Sequence, residues 1–175
     1  MTDLPNDADW VTEGAFMAGP YPGERRKADA VRTLTELTDT GVTHFIDLTF
    51  RKGESTDMLE PYEHLLDALP NGSSPGHSRY SIVDQHIPTA EFMVEILEEI
   101  DKLLDQGEVI YVHCWGGVGR TGTVVACHLI DSGLSADDAL QLIANKRSGL
   151  ERGPRRSPET LGQEAFVRDW DSRRG

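Results

Sequence analysis

The chain has 175 residues, 38% hydrophobic and 27% charged, with a net charge of −13, enough for one globular core. Residues 1–139 carry 9 basic and 25 acidic side chains, giving −16, and residues 140–175 carry 8 and 5, giving +3. An acidic body excludes general nucleic-acid binding, which needs clustered Lys and Arg, and no apolar run reaches the roughly 20 residues of a membrane span.

The acidic opening "MTDLPNDADW" lacks the basic and apolar regions of a signal peptide, so a cytoplasmic monomer is expected. "DWVTEGAFMAGPYPG" reads as two short strands around Glu13-Gly14, ending in a turn, so that residues 1–23 form an N-terminal strand unit. Ala28, Val31, Leu34 and Leu37 recur at helical spacing over 24–40, and Gly41 stops the helix. "VTHFIDL" (42–48) predicts a strand, 57–68 a shorter helix, "PNGSSPGHS" (70–78) a loop and "RYSIV" (79–83) a strand.

Phe92, Val94, Ile96, Leu97, Ile100, Leu103 and Leu104 mark an amphipathic helix over 89–106, ended by Gly107. "VIYVH" (109–113) is apolar enough for a central parallel strand. A helix follows from about Arg120 to Gly133, then another over 135–148 that opens with Ser135 and Asp138 in capping-box spacing. Residues 149–175 read as a C-terminal loop and a last helix from Ser157-Pro158-Glu159 through Trp170. Alternating strands and helices predict one α/β domain over 1–175, its mostly parallel central sheet flanked by helices. In such sheets ligands bind beyond the carboxyl ends of strands, where residues 84–88 and 114–119 fall.

The stretch "HCWGGVGRTG" supports two readings. Gly117, Gly119 and Gly122 spell the G-x-G-x-x-G of a dinucleotide loop. That loop has no use for Cys114, and it wants an acid closing a second strand about 20 residues on; Asp137 and Asp138 fall instead at a predicted helix start. The other reading is a phosphatase that uses every residue. Glycines at 116, 117 and 119 let the amides of Trp115, Gly116, Gly117, Val118 and Gly119 form an anion nest at a helix N-terminus. Cys114 at its centre faces a bound phosphorus, in surroundings that favour the attacking thiolate. Arg120 holds two phosphoryl oxygens through its planar fork. Thr121 is placed to hydrogen-bond the sulfur, and His113 to fix the loop from behind. A small buried thiol is the plain alternative for Cys114, and its place between a strand end and a glycine loop argues against it.

"HCWGGVGRTG" resembles the H-C-x-x-G-x-x-R-[ST] signature of the cysteine-dependent protein tyrosine phosphatase superfamily. It is most similar to the small dual-specificity members of the cyclin-dependent kinase inhibitor 3 phosphatase type and their prokaryotic relatives. The likeness extends more weakly from "AGPYPG" to "SPET". It implies a phosphocysteine intermediate hydrolysed by water without metal or organic cofactor. It also implies a general acid on a loop before the helix that precedes the signature strand. "IVDQHIP" supplies Asp84 there, thirty residues before Cys114; a turn-forming Asp is its bland alternative, and Asp47 and His86 are rival acids. The low-molecular-weight phosphatases differ: their Cys lies near the N-terminus, and they use an Asp-Pro that this chain lacks.

The remaining candidates are plainer. The six histidines show neither H-E-x-x-H nor Cys-x-x-Cys, so no metal site is expected, and Cys127 reads as core. Arg51 and Lys52 read as a solvated loop, Gln163 as a weak echo of a water-positioning glutamine, and "NKRSGLERGPRRS" as a solvated connection rather than an anion-attracting rim. Residues 115–119 carry no Lys or Arg, which favours a singly phosphorylated side chain over a polyanion. The expected substrate is a phosphorylated protein, phosphotyrosine first, with phosphoserine and phosphothreonine left open. A phosphoinositide or other small phosphomonoester is the alternative. A module that captures phosphoproteins without turnover is disfavoured by the intact Cys, Arg and Asp.

Overall fold

The computed structural model describes residues 4–51, 57–150 and 155–174. Its elements are β1 (Asp9–Thr12), β2 (Phe16–Gly19), α1 (Lys27–Asp39), β3 (His44–Asp47), β4 (Gly76–Arg79), α2 (Ala90–Asp105), β5 (Ile110–His113), α3 (Gly119–Asp131), α4 (Ala136–Arg147), α5 (Leu161–Arg168) and α6 (Trp170–Arg173). The sheet runs β1-β2-β5-β3-β4, antiparallel only at β1–β2. The mostly parallel α/β architecture expected from the strand–helix alternation is therefore present.

Strand alternation divides the core. Ile110, Val112 and Cys114 join a core against α2, α3, α4 and α5, while Tyr111 joins one on the other face with Leu34, Leu37, Phe45 and Tyr62. Each fully buried leucine or phenylalanine there contributes about 1.5–3 kcal/mol. β5 is buried along its whole length, so the loop that follows it is launched from the centre of the sheet.

Three expectations about local structure need correction. Only Glu63–Ala68 of the predicted 57–68 helix is helical, and it is a 3-10 turn. Pro61 lacks an amide hydrogen and disfavours helix at the residue before it. The fourth strand is Gly76–Arg79, not 79–83, so part of the predicted loop is strand. The apolar signal of 79–83 comes from residues beyond the strand: Tyr80 packs against Phe92 and Ile82 lies in the core, while their amides still donate to Asp47 O at 2.9 Å and Leu48 O at 3.1 Å. The last helix is capped at Thr160, not Ser157, with Thr160 and Gln163 forming a reciprocal capping box. Ser157 is committed elsewhere, donating its hydroxyl to Val118 O at 2.7 Å.

Candidate active site

The loop from Cys114 to Gly119 joins β5 to α3, and its shape follows from what holds its carbonyls. His113 Nδ1 lies 3.2 Å from Cys114 O. Tyr21 N donates to Trp115 O at 2.8 Å, Arg147 Nη1 to Gly117 O at 3.1 Å, and Thr123 Oγ1 to Gly119 O at 2.8 Å. With Ser157 on Val118 O, most of the loop's carbonyls are pulled outward. A planar trans peptide sets its N–H opposite its carbonyl, so the amides are turned toward the cleft. The 13-residue α3 adds its positive end at the same point.

Gly117 has φ +67°, and a Cβ there would lie 2.5 Å from Gly19 C. A Cβ on Gly122 would lie 2.1 Å from Ser157 Oγ. Both glycines are thus required by the packing of a loop on its neighbours. The dinucleotide reading fails on topology as well. No strand follows β5 among the described residues, and Asp137 and Asp138 lie in the first turn of α4.

Arg120 is 1% exposed and held by three groups. Nη1 donates to Asp57 Oδ2 at 2.7 Å and to Ile82 O at 2.9 Å, and Nη2 lies 3.0 Å from Asp84 Oδ1. Burial alone would lower its pKa, but the hydrogen bond it donates to Asp57 and the charges of Cys114, Asp57 and Asp84 raise it above the ordinary value. Nε is buried with no hydrogen-bond partner among the described residues. The guanidinium is therefore fixed in orientation with one donor uncommitted.

Cys114 and Asp84 line one cleft of about 300 Å³ with Trp115, Gly116, Val118 and Gly119. Asp84 sits five residues past the end of β4, in a turn where Gln85 takes φ +61°, rather than at a strand end. Its side chain is 43% exposed. Arg155 and Glu159 line the same cleft and pair with each other at 3.0 Å. Thr121 Oγ1 is buried without a hydrogen-bond partner among the described residues.

Behind the loop, burial drives the His113 pKa down from 6.5 to about 4, so the ring is neutral near pH 7. A carbonyl can only accept, so Nδ1 carries the hydrogen toward Cys114 O. Nε2 then accepts from the Tyr62 hydroxyl at 2.6 Å. Burial likewise keeps Tyr62 protonated as the donor, its pKa well above the usual value.

The rival acids are engaged elsewhere. Burial pushes Asp47 up, but His113, His77 and Thr49 together hold it well below the ordinary carboxylate range. It also receives Arg79 Nη2 at 3.0 Å. Fully buried and not among the residues lining the Cys114 cleft, Asp47 faces no leaving group there. His86 is exposed, its Nδ1 2.8 Å from Asp84 O. Gln163 is fully buried; its Oε1 accepts from Glu159 N and Thr160 N, and its Nε2 donates to His86 O at 3.3 Å. It ties the segment after Asp84 to α5 rather than facing water. Arg51 reaches the Tyr21 hydroxyl, and Lys52 lies outside the described residues.

Sequence reasoning missed Asp57, Tyr62, Arg147 and Ser157. Arg147 corrects the reading of the basic run as merely solvated: its side chain reaches beneath the loop, and neighbouring Lys146 donates to Trp10 O at 2.6 Å.

Residues 5–167 match the family described as "PTP-SAK: Swiss Army Knife protein, DSP-PTPase phosphatase domain". The chain is 32% identical over 94 residues to the phosphatidylinositol 3,4,5-trisphosphate 3-phosphatase and protein-tyrosine-phosphatase PTEN1 of Arabidopsis thaliana, a match covering 53% of this chain and 22% of that protein. It is 31% identical over 88 residues to the tyrosine-protein phosphatase CDC14 of Candida albicans, covering 50% of this chain and 16% of that protein. The matches therefore span well under half of either relative. In structure it is similar to kinase associated phosphatase bearing a serine in place of its catalytic-site cysteine: TM-score 0.73, 20% identity, with 97% of this chain and 96% of that one covered. With the whole sheet and the Cys114–Arg120 loop inside the matched range, the chain belongs to the DSP-PTPase phosphatase domain family.

Proposed function

We propose that this phosphatase domain hydrolyses phosphomonoesters through a phosphocysteine at Cys114, with protein phosphotyrosine as its leading substrate. The observation that carries the reading is that Cys114 and Asp84 line one cleft, with the buried Arg120 Nη2 3.0 Å from Asp84 Oδ1 at its edge. The phosphoryl group seats on the amides of 115–119 and on Arg120 Nε, and Nη2, on leaving Asp84, takes a second oxygen. The Cys114 thiolate attacks phosphorus; the S–P bond forms as the P–O bond to the leaving group breaks. Asp84 gives its proton to the leaving oxygen. As carboxylate it then takes a proton from water, whose oxygen attacks phosphorus and expels the Cys114 thiolate. Thr121, with an uncommitted hydroxyl, hydrogen-bonds the departing sulfur.

The substrate class rests on charge. Residues 115–119 hold no cation, and Arg155, the cation at the cleft wall, is already paired with Glu159. One phosphoryl group is matched by Arg120 and the amides, and further phosphates meet no free positive partner among the described residues lining this cleft. The free thiols of Cys114 and Cys127 suit a reducing, cytoplasmic setting. Among the described residues no helix is long and apolar enough to cross a membrane.

The test is a steady-state comparison of phosphotyrosyl peptide, phosphothreonyl peptide and a phosphoinositide with one preparation. The reading expects the highest kcat/KM on the phosphotyrosyl peptide and no turnover by Cys114→Ser. Preference for the phosphoinositide would replace the substrate class, and full activity of the serine variant would end the mechanism.

A further inference from the structure

Asn6 lies in the short segment before β1, with its backbone in the left-handed region at φ 58° and ψ 31°. Asparagine tolerates that conformation, and in a turn its side chain ordinarily bonds backbone two residues on. Here it reaches away instead. Nδ2 donates to Pro20 O at 3.0 Å and to the Tyr111 hydroxyl at 2.9 Å, 14 and 105 residues along the chain. The Tyr111 hydroxyl in turn donates to Pro20 O at 2.7 Å. One donor already satisfies this buried carbonyl, and two from different directions fix its plane.

The Pro20 carbonyl and the Tyr21 N–H belong to one peptide unit, and a planar trans peptide sets them on opposite sides. The side held by Asn6 and Tyr111 therefore sets the direction of the other, where Tyr21 N donates to Trp115 O at 2.8 Å. Pro20 stiffens this relay, since its ring fixes φ. The same geometry repeats in the catalytic loop. Trp115 O and Gly116 N share a peptide, so drawing that carbonyl toward Tyr21 turns the Gly116 N–H toward the cleft. Gly116 lines that cleft with Cys114. The carbonyls of Gly117, Val118 and Gly119 take side-chain donors directly. Trp115 O depends instead on a backbone amide whose own plane has to be held.

We propose that Asn6 is a positioning residue for the catalytic loop: with Tyr111 it holds the Pro20–Tyr21 peptide, and through it aims the Gly116 amide at the phosphoryl group. The proposal rests on the reading of the 115–119 amides as the phosphoryl seat. Asn6 acts through two peptide planes in series rather than by contact with substrate. Its loss lets the first plane rock, and the Gly116 N–H loses its aim for every phosphoryl ligand alike.

The experiment measures orthovanadate inhibition, kcat/KM on p-nitrophenyl phosphate and Tm for wild type, Asn6→Gly, Tyr111→Phe and the double variant. Glycine keeps the left-handed backbone and removes the amide, while phenylalanine keeps the buried ring and removes the hydroxyl. Val31→Ala, which trims a partly buried side chain packed on the same core as Tyr111, controls for stability alone. Each single variant should weaken vanadate inhibition and lower kcat/KM about fivefold, the scale of one neutral hydrogen bond. The combined loss should depart from the product of the two, because both donors hold one carbonyl. Val31→Ala should lower Tm and leave vanadate inhibition within about twofold of wild type. Wild-type vanadate inhibition in Asn6→Gly, losses that simply multiply, or equal weakening in Val31→Ala would overturn the positioning role, while wild-type turnover still upholds the phosphatase. A wild type that neither turns over p-nitrophenyl phosphate nor binds vanadate would instead overturn the phosphatase reading, and this role with it.

Discussion

Arg120 Nη2 and Asp84 Oδ1 meet at 3.0 Å at the edge of the cleft that holds Cys114. The pair brings a side chain from the turn after β4 within reach of the guanidinium proposed to hold the phosphate. A carboxyl there matters most when the leaving oxygen needs a proton. Asp84→Asn should slow an alkyl or ordinary aryl phosphate by about a hundredfold, and a substrate with a very acidic phenol by less than about tenfold. Equal slowing of both classes would remove Asp84 from the acid role.

Asp57 clamps Arg120 from the other side and is itself nearly buried. Asp57→Ala leaves a buried guanidinium without its closest anion and should lower stability by about 3 kcal/mol. Bound phosphate supplies a replacement anion, so inorganic phosphate should raise the variant's Tm more than the wild type's. Thermal unfolding with and without phosphate reads this directly, and equal shifts would show that Asp57 does not set the charge balance at Arg120.

Arg147 acts on the loop through Gly117 O rather than through substrate. Arg147→Met should free that carbonyl to turn and weaken vanadate inhibition about tenfold, the cost of roughly one charge-assisted hydrogen bond. Arg147→Lys, which keeps a cation that can donate, should recover part of the loss. Failure of lysine to rescue, with vanadate affinity and Tm falling in step, would reduce Arg147 to general packing.

His113 gives the fold a defined acid sensitivity. The unfolded chain protonates it as pH falls through 6.5, while burial keeps the folded form neutral down to about 4. Its stabilising contribution is complete above pH 6.5 and drains away between 6.5 and 4, a loss of about 3 kcal/mol. Urea unfolding of wild type and His113→Asn across that range should show the steeper fall in wild type. Parallel curves would contradict a neutral buried imidazole.

The parts of this site that could be read from sequence are those joined by local chain. Cys114, the glycines and Arg120 lie on one loop, and the helices before and after it announce themselves through 3.6-residue periodicity. Asp57 is 63 residues from Arg120, and the two meet only because β3, β4 and β5 are adjacent in the sheet. No motif encodes that pairing. Arg147 was hidden by its neighbours: within "NKR" a cation reads as solvated, and only the packing of α4 against α3 turns it under the loop. Strand β4 is displaced in the reading because its own residues, Gly76 to Arg79, are polar, while the apolar Tyr80 and Ile82 that follow serve packing past the end of the strand.

The central claim is a covalent phosphoryl group on Cys114. Cys127 provides an internal control, since burial raises its thiol pKa and keeps it in the inert thiol form. The direct measurement is rapid acid quenching during turnover of p-nitrophenyl phosphate, followed by mass spectrometry of the peptides holding each cysteine. The account predicts one phosphoryl group on the Cys114 peptide, none on the Cys127 peptide, and none on either in Cys114→Ser. Turnover without label on Cys114, or turnover by the serine variant above about a thousandth of wild type, would contradict it.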